Sequence, residues 1–198
     1  MTLDQFRPHV NVYFGPLVSV AMRLGLTPNL FSIAALLASA VAGVLFYLRM
    51  EVWAIIAVAL NAFCDAMDGA IARELKIQSM RGDFLDHAVD RYADIFIITG
   101  IFAGGIVPWQ IGVFALTGVL MASYLGTQAQ AVGVGRYYGG VLGRADRLVL
   151  ILAVGIIGLV FPISIYGLPW LGWLLVLFGI FGHFTAFQRF AYVWRKVT

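Results

Sequence analysis

Residues 31–48 read FSIAALLASAVAGVLFYL, eighteen positions without a charge. At 1.5 Å of rise per residue, such a helix roughly crosses the ~30 Å hydrocarbon layer of a bilayer. Thr27-Pro28-Asn29 stands just ahead of it, and Pro28 favours a break in the chain there. The same reading recurs outward along the sequence. A second apolar stretch starts near Val52 and ends in acidic residues at Asp65, and a third covers about 95–107. Both reach spanning length once residues 61–74 and 83–94 are included. Further runs cover about 109–134, 148–170 and 171–192, the last two separated by Pro162, Gly167 and Pro169. Six spans are expected.

The remainder of the sequence agrees with a membrane setting. The 198 residues are 62% hydrophobic and 12% charged with a mean hydropathy of +0.92, whereas a soluble domain is about half apolar and a quarter charged. The net charge of +3 is spread between apolar runs and forms no stripe, so no nucleic-acid partner is expected. With both termini inside, Arg7, Arg23, Arg73, Lys76, Arg81, Arg91, Arg136, Arg144, Arg147, Arg189, Arg195 and Lys196 fall on or near the cytoplasmic side. Only Arg49 falls outside. Trp53, Trp109, Trp170, Trp173 and Trp194 lie near span ends, as an aromatic belt requires.

Asp4, Arg7, His9 and Asn11 interrupt the first stretch, so no cleavable signal peptide is expected. Phe6, Val10, Tyr13, Phe14, Leu17, Val20, Ala21 and Leu24 recur at helical spacing, which suits an amphipathic helix lying on the membrane surface. The expectation is one all-α integral membrane domain over 1–198: an interfacial helix over 1–27 at the cytoplasmic surface and a six-helix transmembrane bundle over 28–198. The lone cysteine, Cys64, excludes an internal disulfide and reads as a small buried apolar side chain.

Seven of the ten acidic residues, Asp65, Asp68, Glu74, Asp83, Asp86, Asp90 and Asp94, fall within thirty positions where spans two and three join. Ionisable groups at membrane depth cost a few kcal/mol each unless paired, hydrated or metal-bound. So many carboxylates together need a cation. Asp65 and Asp68 are three apart and Asp86 and Asp90 four apart, so each pair projects from one helix face. If residues 74–82 turn the chain, the four converge. All-oxygen ligation favours Mg²⁺ or Mn²⁺ over zinc. His87 beside them reads as a capping or hydrogen-bonding residue.

The residues between the acids suit a bulky diphosphate. Gly69 lets a ligand approach the helix backbone, Ala72 keeps that face low, and Arg73 offers a charged fork suited to phosphate. Gly82 permits a tight turn or another close approach. Taken singly, Gly69 reads equally as a packing glycine and Arg73 as a snorkelling arginine.

Asp65-x-x-Asp68-Gly69-x-x-Ala72-Arg73, eight further residues, then Gly82-x-x-x-Asp86-x-x-x-Asp90 resembles the signature of the CDP-alcohol phosphatidyltransferase family at eight specified positions over 26. The likeness extends to the chain length, the six spans and the amino-terminal helix. It implies transfer of a substituted phosphate from a CDP-linked lipid to the hydroxyl of a small polar alcohol, with release of CMP. It implies that Asp65, Asp68 and Asp86 hold one metal ion, that Asp65, Asp86 and Asp90 hold a second, and that Asp90 is also the general base. Gly69, Arg73 and Ser79 match positions that contact the cytidine nucleotide, and Asn29 with Ser32 matches a polar pair facing it. Ser79 alternatively reads as a solvated loop hydroxyl. A homodimer in the cell membrane, with the site facing the cytoplasm, is implied as well.

Inositol-phosphate-using members carry basic residues after a Ser-Tyr pair in the fourth span. Here Ser123-Tyr124 continues as Leu-Gly-Thr-Gln-Ala-Gln, without them. Arg136, Arg144 and Arg147 remain nearby, and Gly143-Arg144-Ala145-Asp146-Arg147 resembles the basic stretch of members that use polyol phosphates, so a phosphorylated acceptor, inositol phosphate or glycerol phosphate, is expected. Positive-inside anchoring explains the same arginines. Residues 3–7 and the Gly126–Gln130 stretch resemble archaeal members that build ether-lipid head groups. Two readings of other classes are a carboxylate-lined ion transporter, which calls for a midplane site at a repeat interface, and a magnesium-dependent prenyltransferase, which calls for two separated Asp-rich motifs. The sequence shows neither feature.

Overall fold

The computed structural model describes residues 7–75, 77 and 79–197, with 7–14 as backbone alone. Among them the chain forms seven helices and one small hairpin: α1 (Arg7–Arg23), α2 (Pro28–Tyr47), α3 (Glu51–Glu74), α4 (Met80–Ala103), α5 (Trp109–Ala131), α6 (Arg144–Val160), β1 (Ser164–Ile165), β2 (Leu168–Pro169) and α7 (Trp170–Trp194). Phe6, Lys76 and the side chains of Arg7, Val10, Tyr13 and Phe14 lie outside what is described.

The helix boundaries follow local chemistry. Pro28 sits in the first turn of α2, where its missing N–H costs nothing. Ser79 caps α4 by accepting a hydrogen bond from the Gly82 N–H at 3.1 Å. Gly143 precedes α6, and Asp146 reaches back to accept from the Gly143 N–H at 2.8 Å. That cap starts the helix at Arg144, four residues before the expected span, and so places both Arg144 and Arg147 on helical backbone. The break between the last two spans is the hairpin, in which Ile165 pairs with Leu168 across Tyr166 and Gly167, both at positive φ, as a two-residue turn demands.

Four helices, α2, α3, α5 and α7, are long and apolar enough to cross a membrane. The two other expected spans differ for visible reasons. Helix α4 has 24 residues but carries Arg81, Asp83, Asp86, Asp90, Arg91 and Asp94. Helix α6 has 17 residues and opens on Arg144, Asp146 and Arg147.

Small residues set the packing, because in lipid close backbone approach substitutes for hydrophobic drive. Helix α2 packs on α3 and α4, and α5 on α7. A Cβ at Gly100 of α4 would run into the backbone of Gly43 on α2, and one at Gly182 of α7 would meet the backbone of Gly118 on α5 at 2.6 Å. The main core gathers Phe46, Val58, Ile97, Ile101, Leu175 and Phe178 between these layers. Helix α1 lays Val18 and Ala21 against Met67, Ala70 and Ile71 of α3, while Leu17, Val20 and Leu24 stay exposed.

Candidate active site

Helices α3 and α4 run antiparallel around the short connection at 75–79, so the two acidic pairs meet. Single oxygens of Asp65, Asp68 and Asp86 all lie within 4.8 Å of one another. Asp86 and Asp90, with a ring nitrogen of His87, form a second group within the same limit. Hard carboxylate oxygens suit Mg²⁺ or Mn²⁺, and the one nearby thiol, Cys64, is buried as expected. The first trio coincides with the first ion set implied by the sequence. In the second, His87 enters beside Asp86 and Asp90, while Asp65 and Asp90 are joined by a guanidinium: Arg144 Nη1 pairs with Asp65 Oδ1 and with Asp90 Oδ1 at 2.7 Å. His87 Nε2 also stands 3.5 Å from Asp83, one turn back, but this buried nitrogen makes no hydrogen bond among the described residues, so the contact does not fulfil the hydrogen-bonding reading.

The residues expected around a nucleotide take varied positions. Ser32 is buried and donates to Asp68 Oδ2 at 2.8 Å, so α2 orients that carboxylate. Asn29, one turn earlier, is exposed. A Cβ at Gly69 would stand 3.1 Å from Arg73 Nη1, so the glycine makes room for the Arg73 fork to lie across its face. Ala72 follows, half-buried. Ser79 and Gly82 form the cap of α4 described above, which adds a structural duty to both.

Beyond Asp86 and Asp90 opens a cavity of about 510 Å³. Its walls come from α4, α5, α6, α7 and the 132–143 segment, and Asp86 and Asp90 are part of its lining. The segment is drawn over the bundle by Arg189 of α7, 8% exposed, which donates to the carbonyls of Gly139 at 2.8 Å and Ala122 at 2.7 Å. Tyr137 stacks on Tyr192 with ring centres 3.9 Å apart, and Thr185 accepts from the Val141 N–H.

Three predicted arginines line this cavity in different states. Arg136 forms a bidentate pair with Asp83, at 3.0 and 2.7 Å, and donates to the Tyr138 hydroxyl. The hydrogen bonds to Asp83 raise its pKa above that of a free guanidinium. Arg144 grips Asp65 and Asp90. Arg147, 3% exposed, donates to Asp94 Oδ2 at 2.7 Å. Arg91, read from sequence only as a cytoplasmic-side charge, also lines the cavity, with Nη2 at 3.7 Å from both Asp90 and Asp94. Each guanidinium still offers a buried N–H that meets no hydrogen-bond partner among the described residues: Nε of Arg91, Arg136 and Arg147, and both Nε and Nη2 of Arg144. Buried donors of this kind call for an acceptor. A multivalent anion in the cavity would supply one.

The comparisons with known proteins agree with this geometry. A family model described as CDP-alcohol phosphatidyltransferase matches residues 25–182. The chain is 35% identical over 158 residues to the archaetidylinositol phosphate synthase of Pyrococcus horikoshii, covering 80% of this chain and 84% of that protein. To the enzyme of the same name from Methanothermobacter thermautotrophicus it is 31% identical over 196 residues, 98% of this chain and 95% of the relative. Among solved structures it is similar to Mycobacterium tuberculosis phosphatidylinositol phosphate synthase with CDP-DAG bound, with a TM-score of 0.76, 26% identity, and 90% and 92% of the two chains covered. The same protein in complex with manganese and citrate matches equally, with a TM-score of 0.76, 26% identity, and 90% and 88% covered.

Proposed function

This chain belongs to the CDP-alcohol phosphatidyltransferase family, and from that premise we propose that it joins the lipid-bearing phosphate of a CDP-linked lipid to an inositol phosphate. It is a multi-pass membrane protein and a metal-dependent phosphotransferase that releases CMP. The reading of the acceptor rests on one observation above all: a cavity lined by guanidinium groups, each with at least one buried N–H that meets no hydrogen-bond partner among the described residues, shares Asp86 and Asp90 with the carboxylate cluster. The sequence lacks basic residues after Ser123-Tyr124, but Arg91, Arg136, Arg144 and Arg147 supply the charge from other elements.

The division of labour is the one the family resemblance implies. Asp65, Asp68 and Asp86 would hold one divalent ion and Asp65, Asp86 and Asp90 a second; Mg²⁺ or Mn²⁺ bound there would supply charge neutralisation of the diphosphate. Asn29, Ser32, Gly69, Ala72, Arg73, Ser79 and Gly82 receive the cytidine nucleotide on the α2–α3 side. The acceptor's phosphate lies against the arginines, which brings its hydroxyl towards Asp90. Asp90 takes the hydroxyl proton as the oxygen bonds to the lipid-bearing phosphorus, and the bond to CMP breaks with its electron pair leaving on CMP. The chain is a single membrane domain over 1–198, whose six helices α2 to α7, within 28–198, span the cell membrane. Helix α1, within 1–27, lies on the cytoplasmic surface with Leu17, Val20 and Leu24 towards lipid. The site opens on that same side, where a polar acceptor meets a diphosphate whose chains stay in hydrocarbon. The enzyme works as a homodimer.

The test is reconstitution in vesicles with a labelled CDP-linked lipid, Mn²⁺, and inositol phosphate, glycerol phosphate, inositol or serine in turn. CMP release that requires inositol phosphate supports the reading; release with glycerol phosphate or serine alone overturns the acceptor. Asp90→Asn is expected to abolish turnover while nucleotide binding persists, and unaltered turnover removes the base from Asp90.

A further inference from the structure

We propose that Arg144 is a built-in competitor for the cation site, and that its displacement by a divalent ion arms the acceptor cavity. The inference rests on the acceptor reading above and adds to it an order of events. Arg144 Nη1 pairs at once with Asp65 and Asp90, from helices α3 and α4, and both carboxylates belong to the second ion set that the family resemblance implies. A guanidinium stays protonated at any attainable pH, so it yields those oxygens only by moving away. A divalent ion brings twice its charge to the same oxygens, within a cluster that also contains Asp68 and Asp86. A divalent ion among these carboxylates and a guanidinium held on two of them are like charges in one cluster, and their repulsion favours the guanidinium moving off.

The place to which the guanidinium retreats is restricted. Its backbone is held in the first turn of α6 by the bond from the Gly143 N–H to Asp146. The side chain already lines the cavity, and its Nε and Nη2 are buried without hydrogen-bond partners among the described residues. Release of Nη1 therefore adds a third free donor on a tether, beside the Nε groups of Arg91 and Arg147. The retreating fork then suits bidentate capture of a phosphate. By linkage, an acceptor phosphate that draws Arg144 off the carboxylates must strengthen cation binding by the same factor that the cation strengthens phosphate binding. Arg144 is thus a positioning residue that makes two ligands recruit each other before any chemistry.

The experiment uses the full chain in detergent without CDP-lipid, so no turnover intervenes. Mn²⁺ binding is read from the free-ion EPR signal, and inositol phosphate binding from calorimetry, with protein-free blanks subtracted for ion pairing in solution. Saturating Mn²⁺ is expected to tighten inositol phosphate about tenfold, and saturating inositol phosphate to tighten Mn²⁺ equally. Arg144→Gln is expected to bind Mn²⁺ alone more tightly than the parent does, to bind inositol phosphate more weakly, and to show a coupling factor near one. Absence of coupling in the parent protein overturns the proposal without touching the acceptor reading, and so does full coupling retained in Arg144→Gln. If neither inositol phosphate nor inorganic phosphate binds at any Mn²⁺ concentration, the acceptor reading falls and the displacement scheme falls with it.

Discussion

Removal of the Asp94 charge is expected to cost more than removal of its partner Arg147, although the two form one ion pair. Asp94 and Arg147 are 6% and 3% exposed and 2.7 Å apart, joining α4 to α6 one turn beyond Asp90. In Arg147→Met, Asp94 keeps Arg91 at 3.7 Å as a second cation. In Asp94→Asn, Arg147 keeps no carboxylate within ion-pair distance among the described residues, and Arg91 is left with Asp90 alone. Breaking a buried pair by removing one member costs about 3–5 kcal/mol, whereas replacing both members by apolar groups is close to neutral. For a chain of this length about 1 kcal/mol moves the melting temperature by roughly 2–4 °C, so Asp94→Asn is expected to lower it by about 10 °C. Arg147→Met should lose less than half of that, and the double variant Asp94→Leu/Arg147→Met should recover most of it. The single buried cysteine supplies the assay: a thiol-reactive fluorophore reports the exposure of Cys64 on heating in detergent. Melting of Asp94→Asn within about 2 °C of the parent, or equal losses in the two single variants, would refute the asymmetric-partner argument.

Ser32→Ala removes the hydroxyl that orients Asp68 and is expected to weaken Mn²⁺ binding by about tenfold, with little change in melting, when titrated by EPR. Gly100→Val places a branched side chain where α4 meets the Gly43 backbone; the helices must separate, and a loss of about 1–3 kcal/mol should appear in the thiol-exposure melt. Chelation by EDTA should stop CMP release without lowering the melting point enough to unfold the bundle at assay temperature, and either Mg²⁺ or Mn²⁺ should restore it.

The difference between what hydropathy revealed and what it hid has a physical origin. Runs such as 31–48 locate helices because the bilayer demands length and apolarity, and the spacing of Asp65 with Asp68 and of Asp86 with Asp90 shows which faces meet because helical periodicity is local. The arginines behave otherwise. Arg189 counts from sequence as a surface charge at the end of a span, yet it is buried and holds the roof of the cavity through backbone carbonyls. Arg147 finds Asp94 across 53 residues, a pairing that no local pattern records. In a lipid-embedded bundle the core and the exterior are equally apolar, so hydropathy cannot tell an inward arginine from an anchoring one. What can tell them apart is the cost of an unpaired charge at depth. Asp86, Asp90 and Asp94 recur every four residues along one stripe of α4, and the last of them lies a turn further from the helix start than the site needs. An acid carried that far along the helix requires a buried cation; the stripe announces that need, and only the fold shows that Arg147 of α6 and Arg91 of α4 answer it.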